Sequence, residues 1–223
     1  MDLLAELREA GKEVDIEAFR TDFLGAVRMR LFGAMDQDEL DYAFVCEFAA
    51  RLSDAEEFQD FIPCHAVGSG YRGRKFRVDG YEVDDADDSI RLLVADFRGG
   101  DESETLIRTR AESVFAQLKA FVEESATGRI WTSAAEESPQ TRELSGIIEQ
   151  KHQPREDGSR SVSRYRLYLI TDSVLSERLR ELPSEELDGI PLEFHIWDIG
   201  RLRNVSASML GAEELVIDFT GCG

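Results

Sequence analysis

Hydrophobic and polar positions along this chain follow two periods, and the two periods divide it into elements. In "DIEAFRTDFLGAVRMRLF", Ile16, Phe19, Phe23, Val27 and Leu31 recur at three- and four-residue steps, which predicts an amphipathic helix. A second helix is predicted in "DQDELDYAFVCEFAARL". Asp36 followed by Glu39 forms a capping-box-like start, and Leu40, Phe44, Phe48 and Leu52 form the apolar face. The period then shortens to two. "FIPCHAVGSGYRGR" at 61–74, with Pro63 and closely spaced glycines, reads as a short strand and a tight, mobile turn. A hairpin follows, with strands from about Arg74 to Val83 and from Ile90 to Phe97, joined by a turn of Asp84, Asp85, Asp87, Asp88 and Ser89.

The helical period returns in "DESETLIRTRAESVFAQLKAFVEE", whose acidic start suits the positive end of a helix dipole and whose Ile107, Ala111, Val114, Leu118 and Phe121 share a face. Residues 125–137 read as a loop with a short extended piece around Ile130 and Trp131, and "SPQTRELSGIIEQK" as a helix with proline in its first turn. After a polar loop at 152–162, "YRLYLIT" is predicted as a strand, "DSVLSERLREL" as a capped helix, "IPLEFHIWDI" as a strand and "EELVIDF" as a last strand. Strand, helix and strand over 165–196 predict a parallel crossover joined to the hairpin.

The 223 residues suffice for one sizeable domain, expected over 36–223 behind a helical extension at 1–35. Apolar residues at 42% and charged residues at 32% give an ordinary globular balance. Without a charged-then-apolar leader or an apolar run of about 18 residues, the expectation is a cytoplasmic protein that does not enter a membrane. Cys46, Cys64 and Cys222 form no CxxC pair, so reduced structural thiols are expected. The net charge of −20 repels phosphate backbones, so any contact with DNA or RNA must be local. Glycine after the final predicted strand, in "DFTGCG", reads as a cut in a linker.

The chemistry-bearing candidates lie on the hairpin and the second helix. Alternation places Lys75, Arg77, Asp79 and Tyr81 on one side of their strand and Phe76 and Val78 on the other. Asp96 ends the apolar run "LLVAD", where an unpaired carboxylate is costly and a metal ion, an arginine or a helix N-terminus would offset the cost. Glu47 falls about 20° from Leu40 on the helical wheel, at the edge of the apolar face. The plain alternatives are an i,i+4 pair of Glu47 with Arg51, and pairing of the aspartates with Arg77, Arg98 or loop amides.

Glu47, Asp79 and Asp96 with Arg98 follow the order used by nucleases of the PD-(D/E)xK type. There, two carboxylates bind a divalent cation and a lysine positions the attacking water. "DFR" stands where "(D/E)xK" would. Arginine stabilises developing negative charge but stays protonated, which leaves Lys75 as a relocated lysine. The turn "DDADDS" lacks the glycine and final glutamate of a calcium loop and reads as solvated. "YRGRKFR" is the one basic cluster, and His65, His152 and His195 are too scattered to read as ligands.

The phrases "FIPCHAVGSGYRGRKFRVDGY", "LLVADF", "AFVEESATGRI", "YLITDSVLSERLRELP" and "GIPLEFHIWDIGRL" resemble the N-terminal region of the abortive infection phage resistance (AIPR) family, from about Leu40 onward. The resemblance implies a longer protein with a nuclease-like N-terminal region, in which a "DG" strand precedes a strand ending in a "QxK"-like motif. Asp79-Gly80 matches the first element. "ADFR" replaces the second, with Ala95 or Asp96 at its acidic or glutamine position and no lysine.

Motif and resemblance together imply a mixed α/β (α+β) restriction-endonuclease-like core with added N-terminal helices. Two functions follow as expectations within phage defence. One is a magnesium-dependent nuclease with Glu47, Asp79 and Asp96 on the metal and Lys75 or Arg98 assisting. The other is a degenerate scaffold that recognises a protein or nucleic acid, or regulates a C-terminal effector domain, with oligomerisation open to either.

Overall fold

The computed structural model describes residues 3–31, 37–132, 134–179 and 182–213. Helix α1 (Leu3–Met29) leads into α2 (Gln37–Asp54), and three strands follow: β1 (Ile62–Ser69), β2 (Lys75–Asp84) and β3 (Ser89–Asp96). Next come β4 (Thr105–Leu106), α3 (Arg108–Ala126), β5 (Ala134–Glu137), α4 (Pro139–His152) and β6 (Arg164–Thr171). The chain continues through β7 (Val174–Leu175), β8 (Glu185–Leu187) and β9 (Ile190–Trp197) to α5 (Ile199–Glu213).

Among the described residues, seven strands form one mixed sheet in the order β5-β1-β2-β3-β6-β9-β8, and β4 pairs with β7 in a small parallel ladder. β1 to β3 are an antiparallel meander, β6 lies parallel to β3, and β9 lies parallel to β6. A helix, an antiparallel meander, a helical crossover and a parallel fourth strand make up a restriction-endonuclease-like core, and α1 is added in front of it. Both faces of the sheet are covered, so its central strands read as near-continuous apolar runs. On one face, Phe76, Val78, Leu92, Val94 and Leu167 pack under Val114, Leu118 and Phe121 of α3 and Leu144 and Ile148 of α4. On the other, Leu93, Tyr168 and Trp197 meet Phe23 and Val27 of α1, Phe44 and Phe48 of α2, and Leu202 of α5.

The periodic segments become helices for the expected reason, since each buries its apolar stripe. α4 is the clearest, with Pro139 in the first turn and the Ser138 hydroxyl accepting the Thr141 N–H at 3.3 Å. Several expectations need correction. α3 begins at Arg108 because Thr105–Leu106 is drawn into the ladder with Val174–Leu175. The extended piece placed at Ile130 and Trp131 lies at Ala134–Glu137, and Arg129–Thr132 is a single 3-10 turn. "DSVLSERLREL" is not a helix in its described residues: the Asp172 carboxylate serves a buried ion pair instead of a cap, and β7 follows it. The crossover from β6 to β9 is parallel as expected, without that helix.

Helix α5 was not expected. Asp198 starts it by accepting the Arg201 N–H at 2.8 Å, while its other oxygen takes the Leu175 N–H at 2.7 Å. Asp36, read as a cap, and "EELVIDF" beyond Glu213 lie outside the described residues. The acidic turn between β2 and β3 is exposed yet engaged, with Asp84 on Arg91, Asp85 on Lys151 and Asp87 on Arg166.

Candidate functional site

The site begins at a fork between two strands. β2 and β3 are paired from Asp84↔Ser89 to Gly80↔Leu93, after which β2 stays with β1 and β3 stays with β6. The Ala95 N–H would be left unsatisfied at the fork, and Asp79 Oδ2 accepts it at 2.8 Å. Asp79 is therefore part of the sheet's own hydrogen bonding.

The alternation of β2 slips at this point. Tyr81 shares the α3 side with Phe76 and Val78 instead of facing the Arg77 side, which corrects the strict alternation expected from the sequence. On β1 the register shifts between Pro63 and Ala66, so that Cys64 and His65 sit opposite Asp79 as a bulge. Gly80 makes room for Phe61: a Cβ there would lie 2.1 Å from the Phe61 ring.

Asp79 is 3% exposed and holds two further partners. Arg77 Nε donates to both carboxylate oxygens, at 2.8 and 3.0 Å, and His65 Nδ1 lies 3.0 Å from Oδ1. Arg77 Nη2 reaches on to Asp41 of α2 at 3.4 Å. The hydrogen bond and charge of Asp79 raise the His65 pKa against the opposing effect of burial. Burial opposes the Arg77 charge, and Asp79 with Asp41 outweighs it. Cys64, next to His65, is buried, and its thiol pKa is pushed up to about 12.

The other candidates are arranged separately. Glu47 is held by Arg30 Nε at 2.7 Å and Arg51 Nε at 3.0 Å. Asp96 follows the alternation of Leu92 and Val94 to the α3 side, where Arg110 reaches Oδ1 at 2.6 Å through Nη2 and Arg98 lies 3.7 Å from Oδ2. Arg98 is shared with Glu104 at 3.6 Å. Lys75 pairs in register with Ser69 at the far end of β2, about 13 Å of strand from Asp79, and makes no ion pair with either aspartate. Asp79 and Asp96 thus flank one fork from opposite faces.

Asp96 Oδ2 is the one oxygen of these three carboxylates without a hydrogen bond. As paired, this donor set does not offer the two carboxylates expected for a divalent cation whose other ligands, of about six, are largely water. Both oxygens of Glu47 and both of Asp79 already accept from nitrogen donors. Among the described residues no three His, Cys, Asp or Glu side chains are grouped to hold a metal. Arginine is the common partner, and it cannot give up its proton.

Beside Asp79 a cleft of about 420 Å³ opens between α2 and the β1–β2 hairpin. Asp38, Asp41 and Tyr42 of α2 form one wall, and His65, Val67 and Arg77 form the other. Tyr42 is 53% and Val67 42% exposed, an unusual outlay of apolar surface beside acidic groups. The Asp38–Tyr42 wall was missed. Its signal was present, because Asp38, Asp41, Tyr42 and Val45 make a second stripe on α2 at helical spacing.

Fold and fork together define a mixed α+β domain, consistent with a nuclease-like fold, whose candidate carboxylates are engaged by arginines. Residues 44–204 match the model of the abortive infection phage resistance protein N-terminal domain, and the chain belongs to that family. It is therefore read as part of a phage-defence protein. No curated protein and no solved structure matches the chain. No helix among the described residues is long and apolar enough to cross a membrane.

Proposed function

We propose that this domain serves phage defence as a recognition module built on a nuclease-like scaffold, acting through its cleft rather than by cutting nucleic acid. One observation carries the reading: each carboxylate expected at a metal site is claimed by guanidinium groups, Glu47 by Arg30 and Arg51, Asp79 by Arg77, and Asp96 by Arg110 and Arg98. The net charge of −20 and the acidic wall of the cleft favour a protein over nucleic acid as the molecule recognised.

The test is incubation of the purified protein with single-stranded DNA, duplex DNA and RNA in magnesium or manganese, beside an Asp79→Asn control. Asparagine keeps an acceptor for the Ala95 N–H, whereas alanine would strand it and confuse folding with function. The expected result is equal, background cleavage by both proteins and no specific metal heat in calorimetry. Cleavage present in the wild type and lost in Asp79→Asn would refute the proposal. It would instead support metal-dependent cleavage of DNA or RNA. That second reading draws on Asp96 Oδ2, a buried carboxylate oxygen without a hydrogen-bond partner.

A further inference from the structure

The chain carries a surface that complements its own cleft. At the tip of the β1–β2 hairpin, Tyr71 is 56% exposed and has two guanidinium groups over its ring, Arg72 at 5.0 Å and Arg129 at 5.3 Å from the ring centre. Lys75 and Arg74 adjoin it; Arg74 pairs with Glu123 and Glu124 and Arg129 with Glu124, so the positive charge presented at the tip is mainly that of Arg72 and Lys75. The tip is stiff. Arg72 and Gly73 both take positive φ, and Gly70 exchanges backbone hydrogen bonds with Arg74 and Gly73 at 2.9 and 3.0 Å. Beneath it the buried Glu124 side chain packs so closely that a Cβ at Gly70 would lie 2.5 Å away. A preorganised tyrosine and arginine pair is the composition enriched at the centres of protein interfaces, and little ordering entropy is lost when it docks.

The cleft offers the converse surface, with Asp38 beside exposed Tyr42 and Val67; Asp41 is already paired with Arg77 of the facing wall, so Asp38 carries the complementary charge. The knob cannot enter the cleft of its own chain. Val67, in the cleft wall, is joined to Tyr71 through the strand end and a hydrogen-bonded turn, so one continuous backbone fixes the knob relative to the cleft. The complement must come from another molecule.

We propose that the Tyr71–Arg72 knob of one copy docks into the Asp38–Asp41–Tyr42 cleft of a second copy, and reciprocally, to form a two-fold dimer. The proposal rests on the reading of the cleft as a recognition surface. Reciprocity closes the assembly, since a single knob-in-cleft contact would otherwise propagate into chains. Each docked tyrosine can bury only the 56% of its surface that is still exposed, less than the about 150–250 Å² of a whole aromatic side chain, so most of the interface comes from its surroundings. The interface is at the small end of specific association, so the dimer is weak and sensitive to salt.

Sedimentation velocity over a range of protein concentrations, at low and high salt, is the test. The wild type should dimerise at low salt and dissociate at high salt. Arg72→Glu and Asp38→Arg each place like charges in both contacts and should weaken the dimer about tenfold or more. Both residues are exposed, and circular dichroism checks that each variant is folded. Mixing the two variants restores one native and one reversed ion pair, so the mixture should associate although neither does alone. A wild type that stays monomeric, single variants that still dimerise, a mixture without rescue, or open-ended polymers would each overturn the proposal. The assay contains no nucleic acid. A protein that dimerises yet cleaves sinks only the recognition reading, and one that neither cleaves nor dimerises sinks only the dimer.

Discussion

Asp172→Ala tests how the first helix is held to the sheet. The Asp172 carboxylate is fully buried and accepts from Arg20 Nη2 at 2.7 Å, the Arg98 N–H at 2.8 Å and the Gly99 N–H at 3.0 Å. Arg20, 1% exposed, also donates through Nε to the Asp172 carbonyl at 3.0 Å and through Nη2 to the Gly100 carbonyl at 2.9 Å. Removing the carboxylate leaves a guanidinium without its counter-charge and two N–H groups without their acceptor. Breaking one side of a buried pair costs about 3–5 kcal/mol, against a total stability of about 5–15 kcal/mol. For a domain of this size the loss corresponds to a melting temperature lower by about 6–20 °C. Urea unfolding is the assay, and the midpoint should fall with the slope unchanged. Arg20→Met with Asp172→Ala should cost clearly less than the sum of the single changes, because the second change removes a charge that the first has already stranded. A loss below about 1 kcal/mol in Asp172→Ala, or strict additivity, would refute the reasoning.

Gly80→Ala must displace the Phe61 ring from its place against Phe58, which itself packs on Tyr168, and should cost about 1–3 kcal/mol. An unchanged melting temperature would show that the ring moves freely. His65 has a raised pKa in the folded protein, so its pairing with Asp79 stabilises fully below the unfolded value near 6.5 and is lost as pH rises through the folded value. The stability difference between wild type and His65→Gln should therefore shrink as pH rises through that window, and a difference that grows with pH would contradict the assigned partner.

Helices were legible wherever one stripe of large apolar residues had a single neighbour to meet, as Phe23 and Val27 or Phe44 and Phe48 do. The meander was legible too, because β-branched and aromatic residues alternate up to the acidic turn. Tertiary contacts decided the rest. "DS" at 172–173 has the look of a helix start, yet Asp172 is drawn to an arginine 152 residues away, and no local pattern encodes that partner. Asp198 is the reverse case, an equally short cap signal followed by Leu202 and Val205 that did become a helix. At the fork, alternation led to Asp79 and its neighbour Arg77. The bulge that brings His65 to the same carboxylate changes the register of two strands at once and leaves no mark on either strand's period.

The ion pair of Arg20 with Asp172 also sets what can open separately. Arg20 belongs to α1, ahead of residues 44–204, while its partners lie at the ends of β6 and β3. Lifting α1 away would expose both charges and free the Arg98–Gly100 backbone at once. The N-terminal helix and this rim of the sheet should therefore fluctuate as one cooperative unit, with Arg98, Gly99 and the second half of α1 sharing a single amide-exchange protection level. A protein trimmed to the family segment would retain Asp172 without its counter-ion, and its rim would be the first part to loosen.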